Sequence, residues 1–137
     1  MHKLQISIPV YDFKCTVIID NKIEKVIDRY MKQFKMERVK DEDEYHGLAI
    51  ASPLKKYYIF YSLHSLTPNT IIHEICHMVD YMIEEKGIDK LGESRAYLTG
   101  YISEKVFDFV LKNKMLISKY LDYIQKDPAQ PNAHVAE

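Results

Sequence analysis

TPNTIIHEICHMVDYMIEEKG, residues 67–87, is the stretch that decides how this chain is to be read. Thr67 can accept a hydrogen bond from a backbone N–H three residues on, and Pro68 suits a first helical position because it has no N–H to leave unpaired. Gly87 supplies a stop. The spacing therefore predicts a helix from Pro68 to Lys86. Inside it His73 and His77 stand four residues apart, one helical turn, so both imidazoles leave the same face with Glu74 beside them. Two imidazoles so placed can reach one zinc ion at about 2.0–2.1 Å, while a carboxylate next to them takes the proton of a metal-activated water. Burying two imidazoles and a carboxylate with no metal to hold is costly, which weighs against a purely structural histidine pair. Cys76 points off the histidine edge and is expected to be a small buried apolar residue.

Two histidines leave a catalytic zinc one protein ligand short. No histidine follows His77 until His134, so the third donor has to come from another element. Glu93 opens the next helical stretch, which runs to about Lys112; a shorter helix fits Met115 to Ile124. Ala96, Gly100 and Ser103 form a small-residue stripe expected to let this second helix approach the first closely. Tyr97 and Tyr101 lie near the same face as Glu93, where a phenol can donate to an oxyanion or to a substrate. Asp80, three residues past His77, is a candidate to hold a ligand imidazole by its distal nitrogen. His46 and His64 have no local partner motif and are expected to be structural or solvated.

Upstream, Leu4, Ile6, Ile8 and Val10 alternate with polar or small residues and Cys15 to Ile19 is β-branched and apolar, which predicts a strand or a hairpin interrupted near Pro9. Ile23, Val26, Ile27, Tyr30, Met31 and Phe34 recur at three and four residues, the stripe of an amphipathic helix, with Asp20 or Asn21 as its cap. The acidic run Asp41 to Glu44 reads as a solvated turn or loop. Gly47 to Ser52 and Tyr57 to Leu63 then read as a hairpin. The second of these strands feeds the loop into the histidine helix and is expected to flank the site. The fold class is α+β, a small mixed or antiparallel sheet packed against the His73–His77 helix and a second long helix. Residues 1–126 form one domain in this reading, and residues 127–137, with Pro128 and Pro131, a flexible tail.

Composition narrows the function classes. Of 137 residues 47% are apolar and 28% charged, which suits a globular domain, and a net charge of −1 offers no general attraction to nucleic acid or to an anionic membrane. No apolar run approaches the roughly 18 residues of a spanning helix. Two cysteines and a start lacking the features of a secretory signal favour a reducing, cytoplasmic compartment.

His73-Glu74-x-x-His77 followed by Glu93-Ser94-Arg95-Ala96-Tyr97 resembles the gluzincin pattern of zinc metallopeptidases. The short chain, HEICH and ESRAYLTGYI are similar to small phage-encoded metallopeptidases and, more remotely, to minigluzincins and ImmA/IrrE-like proteases. The resemblance covers roughly residues 66–107. It implies a zincin-like fold, Zn2+ as cofactor, His73, His77 and Glu93 as ligands, and Glu74 as the base in hydrolysis of a peptide bond. It also implies an extended peptide or protein substrate laid along an edge strand, in host cytoplasm if the chain is phage-encoded. One departure is Tyr97, which stands where thermolysin-like members carry an acidic residue that orients a histidine. A non-catalytic zinc-binding protein acting by protein–protein contact, such as a phage inhibitor of a host factor, is the alternative. A DNA-associated protease would want a basic groove that this chain does not offer.

Overall fold

A computed structural model describes residues 1–37, 46–88 and 92–126. The acidic run 41–44 and the segment 127–137, with His134, lie outside the described residues. Two strands open the fold, β1 (His2–Ile8) and β2 (Phe13–Asp20), paired antiparallel across a single turn at Pro9–Tyr11. Helix α1 (Ile23–Gln33) follows, and then the hairpin β3 (Gly47–Ala51) and β4 (Tyr57–Ser62). The chain finishes in α2 (Pro68–Lys86), α3 (Glu93–Lys112) and α4 (Lys114–Lys126).

The sheet order is β1-β2-β4-β3, with β2 and β4 parallel at its centre and the other two pairings antiparallel. Strand β2 is buried without a break from Cys15 to Ile19 because both of its faces are covered. Val17 and Ile19 turn toward Ile71, Ile75, Met78, Val79 and Met82 of α2, while Ile18 turns the other way, toward Ile23, Val26 and Ile27 of α1. The domain is thus α1 on one face of a mixed sheet and α2 to α4 on the other, the α+β class that the sequence indicates.

Local signals set most boundaries. The Thr67 side chain accepts from Thr70 N–H, Pro68 occupies the first turn of α2, and Gly87 closes it at φ 64°. A residue with a Cβ would be strained at that angle. Helix α1 departs from expectation. Its cap is Lys22, which makes no side-chain cap bond, and Asp20 Oδ1 instead accepts from the N–H of Asn21. Burial of its apolar stripe holds α1 in place of a cap.

The small-residue stripe of α3 also sits otherwise than expected. Leu98, Ile102, Val106 and Val110 form the buried face, whereas Ala96 and Gly100 are exposed and a Cβ on Gly100 would meet nothing within 4 Å. The helices meet through large apolar side chains because these have the most surface to remove from water.

Candidate metal centre

Alternating core positions roll α2 so that Ile71, Ile75, Met78 and Val79 point at the sheet, and residues half a turn away are left on the outside. His73 and His77 are therefore exposed. Their Nε2 atoms stand 3.2 Å apart, with ring centroids at 4.8 Å and planes at 77°. Tetrahedral zinc bound at about 2.05 Å requires its nitrogen ligands to lie about 3.3 Å from one another. The two imidazoles already have that separation. The donor atoms of His73, Glu74 and His77 fall within 4.8 Å of one another, the one His/Cys/Asp/Glu group of its kind among the described residues.

Glu74 differs from the histidines in environment. It is only 6% exposed, and burial raises its carboxyl above the ordinary range, partly offset by the His73 and His77 imidazoles. A carboxylate starved of water gains proton affinity, as a base needs. Strand β3 supplies the cover: Gly47 lies against Glu74 so closely that a Cβ there would sit 2.7 Å from Glu74 Cγ and 3.3 Å from Oε2. Only glycine lets the strand come this near.

This locates the strand beside the site. The sequence points to Tyr57 to Leu63, yet β4 is central in the sheet and β3 is the edge strand over α2. The Tyr81 hydroxyl, two turns beyond Glu74, donates to Ala49 O at 3.3 Å and continues the seam between α2 and β3. Ser62 N–H donates to His46 O and Ser52 N–H to Lys56 O, so the even-numbered residues of β3 exchange bonds with β4. Gly47, Ala49 and Ala51 consequently turn their backbone groups toward the outer edge. No strand among the described residues pairs with that edge.

Comparison with protein families, with curated proteins and with solved structures gives no match. The site is therefore read from its own geometry.

Glu93 is the exposed first residue of α3 and is not part of the His73–Glu74–His77 group. Two residues on, Arg95 Nη1 donates to Asp80 Oδ1 at 2.6 Å, which joins the start of α3 to α2 less than a turn beyond His77. That bond engages Asp80 with Arg95, where the sequence suggests a ligand imidazole. Tyr101 donates from its hydroxyl to Ser7 O at 3.3 Å, on β1 at the far edge of the sheet, and Tyr97 stacks on it with centroids 6.0 Å apart.

Cys76 is exposed, contrary to the buried position expected of it, while Cys15 is buried with its thiol pushed up to about 12 by loss of water. Rolling α2 to bury Ile75 and Val79 carries Cys76 outward. His64 is exposed; His46, also exposed, is tethered with Nδ1 2.6 Å from Ser65 Oγ. The sequence reading places Gly47 at the start of a strand without a role at the site, and takes His46 as structural or solvated. A glycine three residues after an acidic run is an ordinary turn signal, and nothing local reports that its Cα will press on a residue 27 positions away.

Proposed function

We propose that this protein is a zinc-dependent peptidase of the gluzincin type. The observation that carries the proposal is the 3.2 Å separation of His73 Nε2 and His77 Nε2 beside the buried Glu74 carboxylate. Nitrogen donors at tetrahedral spacing with an adjoining carboxylate suit zinc, and they leave room for a third protein ligand. Glu93 is that ligand in this reading, supported by its place in the sequence pattern.

When bound, zinc supplies Lewis acidity, polarising a carbonyl and making water a stronger acid. The protein's own groups do the rest. His73 and His77 present their Nε2 atoms from one helix face, 3.2 Å apart. Glu74 accepts a proton from the attacking water on a carboxylate oxygen and later returns it to the leaving amine nitrogen. Its burial under Gly47 keeps bulk water from levelling its proton affinity.

An extended peptide fits the outer edge of β3, where the outward backbone groups of Gly47 and Ala51 can pair with it as an added strand. Gly47 is the residue of that strand in contact with Glu74, which supports a scissile carbonyl bound near this end of β3. The open edge of β3 supports a peptide or protein substrate in this reading, and a phage origin is what the resemblance implies.

The test is elemental analysis of purified protein together with hydrolysis of an unfolded polypeptide by wild type and by Glu74→Gln. One zinc per chain in both proteins, with cleavage lost only in the variant, supports the proposal. Wild-type protein that takes up no zinc would overturn it. Zinc uptake with a biological effect that survives Glu74→Gln would instead support the non-catalytic alternative.

A further inference from the structure

We propose that the cavity at the far end of the seam between α2 and β3 is a specificity subsite that takes a lysine or arginine side chain of the substrate peptide. The inference rests on the peptidase reading and deepens it by naming a substrate class.

Position comes first. Three points fix how the two elements run together: Gly47 lies against Glu74, Ala49 O accepts from the Tyr81 hydroxyl, and Ala51 shares one cavity with Tyr81, Glu84 and Glu85. Strand and helix therefore advance in the same direction, with Glu74 near the start of the seam and the cavity at its end. Their lengths agree, since the strand steps from Gly47 to Ala51 cover about 13 Å and the helical rise from Glu74 to Glu84 about 15 Å. A peptide added to the outer edge of β3 rises by the same step as the strand. Its residue about four places from the one opposite Gly47 falls opposite Ala51.

The pleat decides which side chains enter. Gly47 and Ala49 face α2, and Ala51, at the same even spacing, does too. The peptide residue opposite Ala51 shares that face and directs its side chain into the cavity, whereas its two neighbours point the other way.

Shape and charge then select the side chain. The cavity holds about 540 Å3, and the half-buried rings of Tyr57 and Tyr81 line it. Aromatic faces suit the methylene stem of a long side chain and attract a cation at its end. Two carboxylates, Glu84 and Glu85, also line it. Lys55 Nζ holds a Glu85 oxygen at 3.3 Å and offsets its charge. Glu84 makes no ion pair among the described residues, so the cavity keeps one unopposed negative charge. A side chain with an apolar stem and a cationic end meets both features, and an acidic one meets a like charge.

The experiment follows hydrolysis of one neutral peptide series by the zinc-loaded full chain, with cleavage sites read by mass spectrometry. A single lysine is moved residue by residue away from the cleaved bond, and norleucine replaces it in the controls to keep the stem without the charge. At one position about four residues from the bond, lysine should raise kcat/KM about fivefold over norleucine, the gain that an exposed ion pair allows. At the two flanking positions it should not. Glu84→Gln should bring that ratio to one, and Glu84→Lys should favour glutamate over lysine at the same place. Glu84 is exposed, so neither variant disturbs the core. Hydrolysis with no lysine preference, or a preference untouched by both variants, overturns the subsite and leaves the peptidase. No hydrolysis of any peptide removes the peptidase reading and the subsite with it.

Discussion

Gly47 and Glu74, 27 residues apart in sequence, are in direct contact: the Cα of the first residue of β3 packs against the side chain of the carboxylate that stands between the two histidines. The edge strand thereby shields Glu74 while leaving His73 and His77 open to solvent. The burial that raises the Glu74 carboxyl comes from this approach and from the α2 packing beneath it.

Gly47→Ala should therefore injure the site without breaking the sheet. The added Cβ would lie 2.7 Å from Glu74 Cγ, a mid-chain atom that cannot swing aside as a side-chain tip would. Either Glu74 is displaced or the start of β3 lifts, at a cost of about 1–3 kcal/mol for overpacking. Calorimetry or urea unfolding should show that loss, and hydrolysis should fall by about tenfold or more. Zinc content should stay at the wild-type level, since the added Cβ meets Glu74 first and His73 and His77 stand on the exposed face of α2.

Glu74 should leave a pH signature in the zinc-free protein. Its folded-state pKa is raised by burial, so the folded chain holds the proton more tightly than the unfolded one. Stability is then greatest where both states are protonated and declines as pH rises through the interval between the unfolded and the raised folded values. Glu74→Gln removes the cost of the buried charge. Zinc-free Glu74→Gln should melt above wild type at pH 7, with the gap closing toward pH 4; a gap that widens on acidification would contradict the assignment.

Zinc should stabilise the folded chain through the histidine pair. A ligand present at about 100 times its Kd adds about 2.7 kcal/mol when only the folded state binds it. Thermal melting with and without zinc should show an upward shift of several degrees in wild type and in Glu74→Gln. His73→Ala and His77→Ala should show none.

The two thiols should separate cleanly in reactivity. Cys76 is exposed on α2, whereas Cys15 is 1% exposed with its thiol pushed up to about 12, so almost none of it is thiolate at neutral pH. Titration of folded protein with a chromogenic disulfide should count one fast thiol, with the second released only on denaturation. Cys76→Ser should abolish the fast phase and Cys15→Ser should leave it intact.

The sequence by itself determined what depends on neighbours along the chain. Thr67, Pro68 and Gly87 set the ends of α2, the apolar stripe of residues 23–34 announces α1, and the four-residue spacing of His73 and His77 puts two imidazoles on one face before any tertiary contact forms. Capping, backbone angle and helical period are local, so a linear reading reaches them. The tertiary structure alone decided which elements meet. A period of two says that β4 has two faces and not that β2 and β3 will flank it, so the strand over the site proved to be β3. A period of 3.6 allowed α3 to turn either its small stripe or its large apolar stripe inward, and burial of Leu98, Ile102, Val106 and Val110 removes more apolar surface from water than Ala96 and Gly100 would. The Gly47–Glu74 contact, the Asp80–Arg95 bond and the docking of Tyr101 on Ser7 all join residues 15 or more positions apart. Such pairings are chosen by the packing of the whole core, which no stretch of neighbouring residues encodes.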